Sequence, residues 1–377
     1  MTEIVKTTHR PTWAEIDLAA VRHNLACVRV FLRTDVGVMG IVKADAYGHG
    51  IRRVSRVLSE EGVQYLGVAT VDEALEVRDE GLDVPVLVMG SVLPEEVEPA
   101  VINDVTLTLC DKALLDKLIE VAQSTQKRPR VHVMVDTGMG RIGVWREDAL
   151  AFIDAVHREE WVELEGVYTH FSSAGRDKEY TTSQIASFER ILGRLEEMGI
   201  DVKYRHAANS IALIDWERTH LNLVRPGILL YGIYPKRSFR DKFRLEPAMS
   251  LKTRISFLKD VPPGRSLSYG RTYITESPTK IATIPIGYAD GYGRILSNKA
   301  QAIVRGVPVR VAGVVTMDQT LLNVGGIEGV AKGDEVVLIG RQGDALIPVE
   351  KLAKLAGTIP YEIVTGITKR VPRVYKN

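Results

Sequence analysis

Strand-like and helix-like runs alternate through some 200 residues of this 377-residue chain, and that alternation limits the fold more than any other feature. Eight strand-like segments start near residues 37, 64, 85, 105, 130, 162, 202 and 222. GVMGIV, VPVLVMG and RVHVMVD are typical: short, apolar and rich in valine, as strands buried on both faces are. Helical stretches surround them, the first two over residues 19–33 and 49–61. Thr70 and Glu73 have capping-box spacing ahead of a third helix, and Gly81 stops it. Strict alternation of this kind predicts a (β/α)8 TIM barrel. An open doubly wound sheet is the alternative, but no glycine-rich dinucleotide fingerprint accompanies the strands.

Beyond about residue 245 the texture changes. MSLKTRISFLKDV, TKIATIPIG, QAIVRGVPVRVAGVV and DEVVLIG are short, alternating and punctuated by Gly, Pro and Asp. They predict a mostly antiparallel β domain with one helix near residues 348–356. The expected division is a barrel over residues 12–240, opened by the extended piece TWAEIDL, and a β domain over 245–377. Residues 1–11 are expected to associate with the β domain, and the basic tail TKRVPRVYKN to end in a last strand.

Composition excludes several classes of function. A net charge of +1 makes no electrostatic case for nucleic acid or a membrane surface. No apolar run is long enough to span a bilayer, and MTEIVKTTHR lacks the apolar core of a secretory signal. Cys27 and Cys110 have neither metal-type nor redox-type spacing. A cytoplasmic protein with two reduced thiols and no metal is expected.

The stretch from Val36 to Gly50, VGVMGIVKADAYGHG, concentrates the chemistry. Its apolar strand runs straight into Lys43. A lysine at the end of a buried strand is costly unless paired, although a long side chain can also snorkel outward. A desolvated amine has a lowered pKa and can form a Schiff base with an aldehyde. The glycines around His49 allow a sharp turn. The string VKADAYGHG closely resembles the pyridoxal-phosphate (PLP) attachment motif of alanine racemases, and later segments resemble that family in the right order along nearly the whole chain. The resemblance implies that Lys43 carries the cofactor and that Tyr47 contacts its phosphate.

In a barrel, functional residues gather at the carboxyl ends of strands. DTGMGRIG supplies Arg141 after strand five, THF supplies His170 after strand six, and HAANS supplies Asn209 and Ser210 after strand seven. RPGI supplies Arg225, Gly227 and Ile228 after strand eight, a frequent barrel phosphate site. Taken alone each is weak; Ser210, for one, reads equally well as a simple helix cap. The resemblance implies phosphate contacts from Tyr47, Ser210, Gly227, Ile228 and Tyr361, and puts Arg225 against the pyridine nitrogen. Guanidinium is a donor only, so that nitrogen stays unprotonated and the ring becomes a weaker electron sink. Such a site favours proton removal and return over transamination or elimination.

Racemisation needs an acid or base on each face of the substrate. Lys43 serves one face; the other, by resemblance, is served by Tyr288 in IPIGYADG, with His170, oriented through Arg225, as its tuning partner. The family joins the barrel of one subunit to the β domain of another, so a homodimer is implied. VVTMDQT then supplies Met317 and Asp318 from the partner, the Met317 N–H bonding the substrate carboxylate beside Arg141. Two departures stand out. Many relatives have cysteine where this chain has Thr316. Many also have a lysine, often carbamylated, where this chain has Met134. A halide, or a neutral side chain with ordered water, is expected to replace that carbamate beside Arg141; the alternative is that Arg141 is simply more solvated. The implied activity is interconversion of L- and D-alanine, supplying D-alanine for cell-wall peptidoglycan. A racemase of broader or serine preference is the near alternative. A non-catalytic PLP-binding carrier is the alternative from another class, but it lacks the long β domain with GYADG and TMDQ.

Overall fold

The computed structural model describes residues 9–377, in two compact units. One comprises Val21–Ala46 and Ile51–Glu246. The other comprises the described residues up to Ala20, Tyr47–Gly50 and Pro247–Asn377. Among the described residues, no helix is long and apolar enough to cross a membrane.

The first unit is the expected (β/α)8 barrel. Its parallel strands run in the order Leu223–Val224, Gly37–Ile41, Tyr65–Val68, Val86–Val88, Thr106–Leu109, Arg130–Asp136, Glu163–Tyr168 and Tyr204–His206. The circle closes where Asn209 bridges Arg225 and the Arg225 N–H donates to Ala208 O at 2.9 Å. Met39, Leu66, Leu87, Leu107, Val133 and Val167 are wholly buried. That is why the strands read as continuous apolar runs. Full-length helices follow the first six strands, ending with Lys178–Glu197. After strand seven the helix shrinks to Ala212–Asp215, and after strand eight to the 3-10 turn Ile228–Tyr231.

The second unit holds a seven-stranded mixed sheet and a three-stranded antiparallel sheet built from Phe257–Val261, Thr279–Ile284 and Thr320–Asn323. Thr12–Asp17, expected to open the barrel, lies in the larger sheet. It pairs antiparallel with Met249–Arg254 and parallel with the tail strand Arg373–Lys376. The reason is its pattern: Thr12, Ala14 and Ile16 are buried and alternate with partly exposed neighbours, as in a sheet covered on one face. The barrel strands Tyr65–Val68, Val86–Val88 and Thr106–Leu109, by contrast, are buried at every position. The two compact units divide after Glu246. The Arg10 guanidinium grips both Asp290 oxygens and donates to Pro285 O at 2.7 Å. Residues 1–8, including the stretch read for a secretory signal, lie outside the described residues. The helix expected near 348–356 is Val349–Ala356, and a second, unanticipated one is Pro360–Thr365.

Candidate active site

Lys43 follows the first barrel strand and opens a single helical turn, Lys43–Gly48, of left-handed sense: Ala44, Asp45, Ala46 and Tyr47 all have φ between 52° and 54°. Left-handed backbone costs L-residues roughly 1–2 kcal/mol each, so neighbouring contacts must hold it. Three do so within the barrel unit. Ala44 N donates to Glu73 Oε1 at 2.6 Å, Ala46 N to Val42 O at 2.7 Å, and Ile51 N to Asp45 Oδ1 at 2.8 Å. The Thr70–Glu73 cap exists, since Glu73 N donates to Thr70 Oγ1 at 3.3 Å. The Glu73 carboxylate, however, reaches past Thr70 to Ala69 N at 2.7 Å as well as to Ala44 N. It is therefore a clamp on the lysine loop as much as a helix cap. Burial lowers the Lys43 amine, the Arg141 charge lowers it further, and Glu73 opposes both.

Arg141 stands on a loop that the sequence reading took only as DTGMGRIG. Its geometry comes from Asp136, buried at the end of strand five. Asp136 Oδ1 accepts from Gly138 N and Met139 N, and Oδ2 from Gly140 N, each at 2.8 Å. The Tyr180 hydroxyl, from the helix Lys178–Glu197 after strand six, donates to Gly138 O at 2.8 Å. Met134 is buried in the same strand, whereas Arg141 remains exposed on the barrel unit.

Arg225 is wholly enclosed. Nη2 donates to Thr169 O at 2.7 Å and to Ala207 O at 3.0 Å, and lies 3.5 Å from His170 Nδ1. Nη1 lies 2.9 Å from His206 Nδ1, and the guanidinium sits 5.2 Å above the Tyr168 ring. Burial pulls the Arg225 pKa down to about 10, which leaves it charged at neutral pH. His170 is pulled down to about 3, by burial first and then by the charges of Arg225, Arg141 and Lys43. That ring is therefore neutral at physiological pH.

The small residues behave as caps. Asn209 Oδ1 accepts from Ile211 N and Ala212 N, both at 3.0 Å. Gly227 N donates to Ser210 Oγ at 2.9 Å. Ile228 is buried at the start of its 3-10 turn. The barrel thus brings Lys43, Arg141, His170, Asn209, Ser210, Arg225, Gly227 and Ile228 to the ends of its strands.

The β unit gathers the others. The rings of Tyr47 and Tyr361 are 6.0 Å apart, and burial raises both phenols, Tyr361 to about 12. Gly48, at φ 80°, packs so closely on Val364 O that a Cβ would collide with it. Elsewhere in the unit, Tyr288 opens the 3-10 turn Tyr288–Asp290 and is 41% exposed. Tyr288 N donates to Thr316 O and Ala289 N to Met317 O, both at 3.0 Å. Gly287 makes this approach feasible, since a Cβ there would strike the carbonyls of Thr316 and Met317. Met317 is 52% exposed, and Asp318 accepts from Arg370 Nη2 at 2.7 Å. The sequence reading missed Asp290, whose buried carboxylate binds Arg10, Arg370 and Gly287 N and so fixes the turn. The acid three residues after a glycine, in GYAD, was the available signal.

A closed barrel that brings a desolvated lysine and an enclosed, donor-only arginine to the ends of its strands has the layout of a barrel enzyme. Residues 16–235 match the family model described as alanine racemase, N-terminal domain, and residues 248–375 match alanine racemase, C-terminal domain. The chain belongs to the alanine racemase family. It is 46% identical to the alanine racemase of Halothermothrix orenii, over 99% of this chain and 98% of that one. Among solved structures it resembles alanine racemase from Clostridium difficile 630 with a TM-score of 0.93 at 39% identity, covering 98% of this chain and 97% of that one. Alanine racemase from Bacillus anthracis with bound L-Ala-P gives 0.92 at 39%, over 98% and 96%.

Proposed function

We propose that this protein interconverts L- and D-alanine with pyridoxal phosphate attached at Lys43, using Lys43 and Tyr288 as the two bases. The observation that carries the reading is the Lys43 amine at the end of the first barrel strand, desolvated and held low beside Arg141. Lowering the pKa of an amine makes its neutral, nucleophilic form easier to reach. The donor set fits the cofactor. Arg225 offers only N–H groups, which suit an unprotonated pyridine nitrogen. Ser210 and the N–H groups around Gly227 suit a phosphate, and Tyr47 and Tyr361 add hydroxyls. When bound, pyridoxal phosphate supplies an electrophilic carbonyl for the substrate amine and a conjugated ring that acidifies Cα. Arg141 holds the substrate carboxylate, with Met317 N–H and Asp318 beside it. Lys43 Nζ takes or returns the Cα proton on one face and Tyr288 Oη on the other. His170, neutral against Arg225, orients the phenol.

Homodimerisation is part of the proposal. It is supported by the exposure of Tyr288 and Met317 on the β unit, which a partner's barrel would cover. The product D-alanine serves cell-wall peptidoglycan, and the protein acts in the cytoplasm. Borohydride treatment with pyridoxal phosphate is expected to fix one cofactor mass on the Lys43 peptide, and none on Lys43→Ala. Loss of optical rotation should follow with L-alanine, and more slowly with L-serine. An adduct at its native site in Lys43→Ala would sink the assignment.

Met134 yields a second expectation. A thioether cannot take up carbon dioxide, so activity should not respond to removal of bicarbonate, and intact mass should show no carbamate. A moderate response to halide at fixed ionic strength is expected, because Arg141 keeps five donors to satisfy. Labelled bicarbonate incorporated near this pocket would reverse the conclusion.

A further inference from the structure

The contacts of Arg225 do not stop at the residues around it. His206, whose Nδ1 faces Arg225 Nη1, presents its Nε2 to His132 Nδ1 at 2.8 Å. His132 Nε2 lies 3.4 Å from Glu165 Oε2. All four side chains are buried. The Glu165 carboxylate also accepts the Tyr65 hydroxyl on Oε2 and Lys203 Nζ at 3.0 Å on Oε1. The chain descends through the barrel interior. Arg225 and His206 stand at the carboxyl ends of their strands, and Tyr65 at the amino end of its own. Lys203 precedes its strand, with its side chain 63% exposed.

Proton positions along this line follow from its two ends. Guanidinium only donates and carboxylate only accepts. Arg225 therefore donates to His206 Nδ1, which must be bare. His206 is then protonated at Nε2 and donates to His132 Nδ1, which must also be bare. His132 is protonated at Nε2 and donates to Glu165. Both rings are neutral, consistent with the burial that lowers their pKa values. Burial pushes the Glu165 carboxyl up, but His132, Tyr65 and Lys203 together hold it down at about 2. Packing keeps the rings in place: Tyr168 stacks on His206 at 4.6 Å and 7°. Among the described residues, no carboxylate contacts Arg225 directly, and a buried charge without a counter-ion is expensive.

We propose that Glu165 is a positioning residue for the racemase site: through His132 and His206 it serves as the distant counter-anion of Arg225 and sets every proton between them in one direction. The proposal rests on the reading above in one respect, that Arg225 meets the cofactor ring. Glutamine at 165 would place an amide donor where three donors already converge. If that amide turned toward His132, it would reverse both rings and leave His206 Nδ1–H pointing at Arg225 Nη1.

The test is nitrogen-15 NMR of histidine-labelled full-length protein, with and without pyridoxal phosphate. The two rings, among eight histidines, are assigned by His132→Asn and His206→Asn. The parental protein is expected to show both rings neutral and protonated at Nε2. Glu165→Gln should move at least one ring to Nδ1–H or to tautomer exchange. It should lower kcat by about tenfold with KM changed less than about twofold. A parental ring protonated at Nδ1, or charged, overturns the proposal whether or not the variant folds. So does a Glu165→Gln protein with unchanged tautomers, or one with altered tautomers and parental kcat. Failure of the cofactor reading would show separately, as no borohydride-fixed mass on Lys43. The tautomers of the cofactor-free protein would then still be decided.

Discussion

Tyr288→Phe is expected to lower the rate of L-alanine racemisation by roughly 10²–10⁴-fold, the usual contribution of a general acid–base group. The fold and cofactor binding should be retained. The ring remains, and only an exposed hydroxyl is lost, so the change in stability should stay within about 0.5 kcal/mol. The backbone that presents residue 288 is fixed without the hydroxyl. Tyr288 N and Ala289 N bond the Thr316 and Met317 carbonyls, and buried Asp290 ties the turn to Arg10. A fall in kcat therefore reports chemistry and not collapse of the site. The sharper measurement is deuterium exchange at Cα of L-alanine, the isomer whose proton Tyr288 is expected to remove. Exchange at the parental rate in Tyr288→Phe would remove Tyr288 from the two-base scheme.

Much of the barrel was legible because its physics is local and repetitive. A strand covered on both faces is largely apolar, so most of the eight runs could be counted directly. Thr12–Asp17 was misplaced because its alternation was passed over in favour of its position just before the first helix. Its partners, Met249–Arg254 and Arg373–Lys376, lie more than 200 residues away, and no local signal names them.

The site was legible where a residue type is unusual for its place. Lys43 after a buried strand is of that kind, whereas Arg225 before a proline was a weak signal alone and was singled out only through the family resemblance. What stayed hidden were the residues that act on these. Glu73 looked like a helix cap, and it is one, yet its second oxygen holds Ala44 N. The left-handed turn over Ala44–Tyr47 has no signature in ADAY, because tertiary contacts impose it against local preference. His132, Glu165 and His206 lie inside three different strands that otherwise read as core. A histidine or glutamate in such a strand is a buried polar group in need of partners. That requirement was visible, although the partners were not.

Mixing Lys43→Ala protein with Tyr288→Phe protein, each nearly inactive alone, is expected to restore activity. Lys43 belongs to the barrel unit and Tyr288 to the β unit, and the exposure of Tyr288 leaves it open to a second chain. In a twofold dimer whose sites each combine one chain's barrel with the other's β unit, the heterodimer contains one site with both defects and one with neither. Random exchange makes half of the dimers hetero, so about a quarter of all sites become intact. Recovery should approach a quarter of parental activity after subunit exchange and should rise with incubation time. Sites built within a single chain give a different result: every site keeps one defect, and no mixture recovers. Exchange is followed independently by mass-tagged subunits, so absence of activity with exchange complete would reject shared sites.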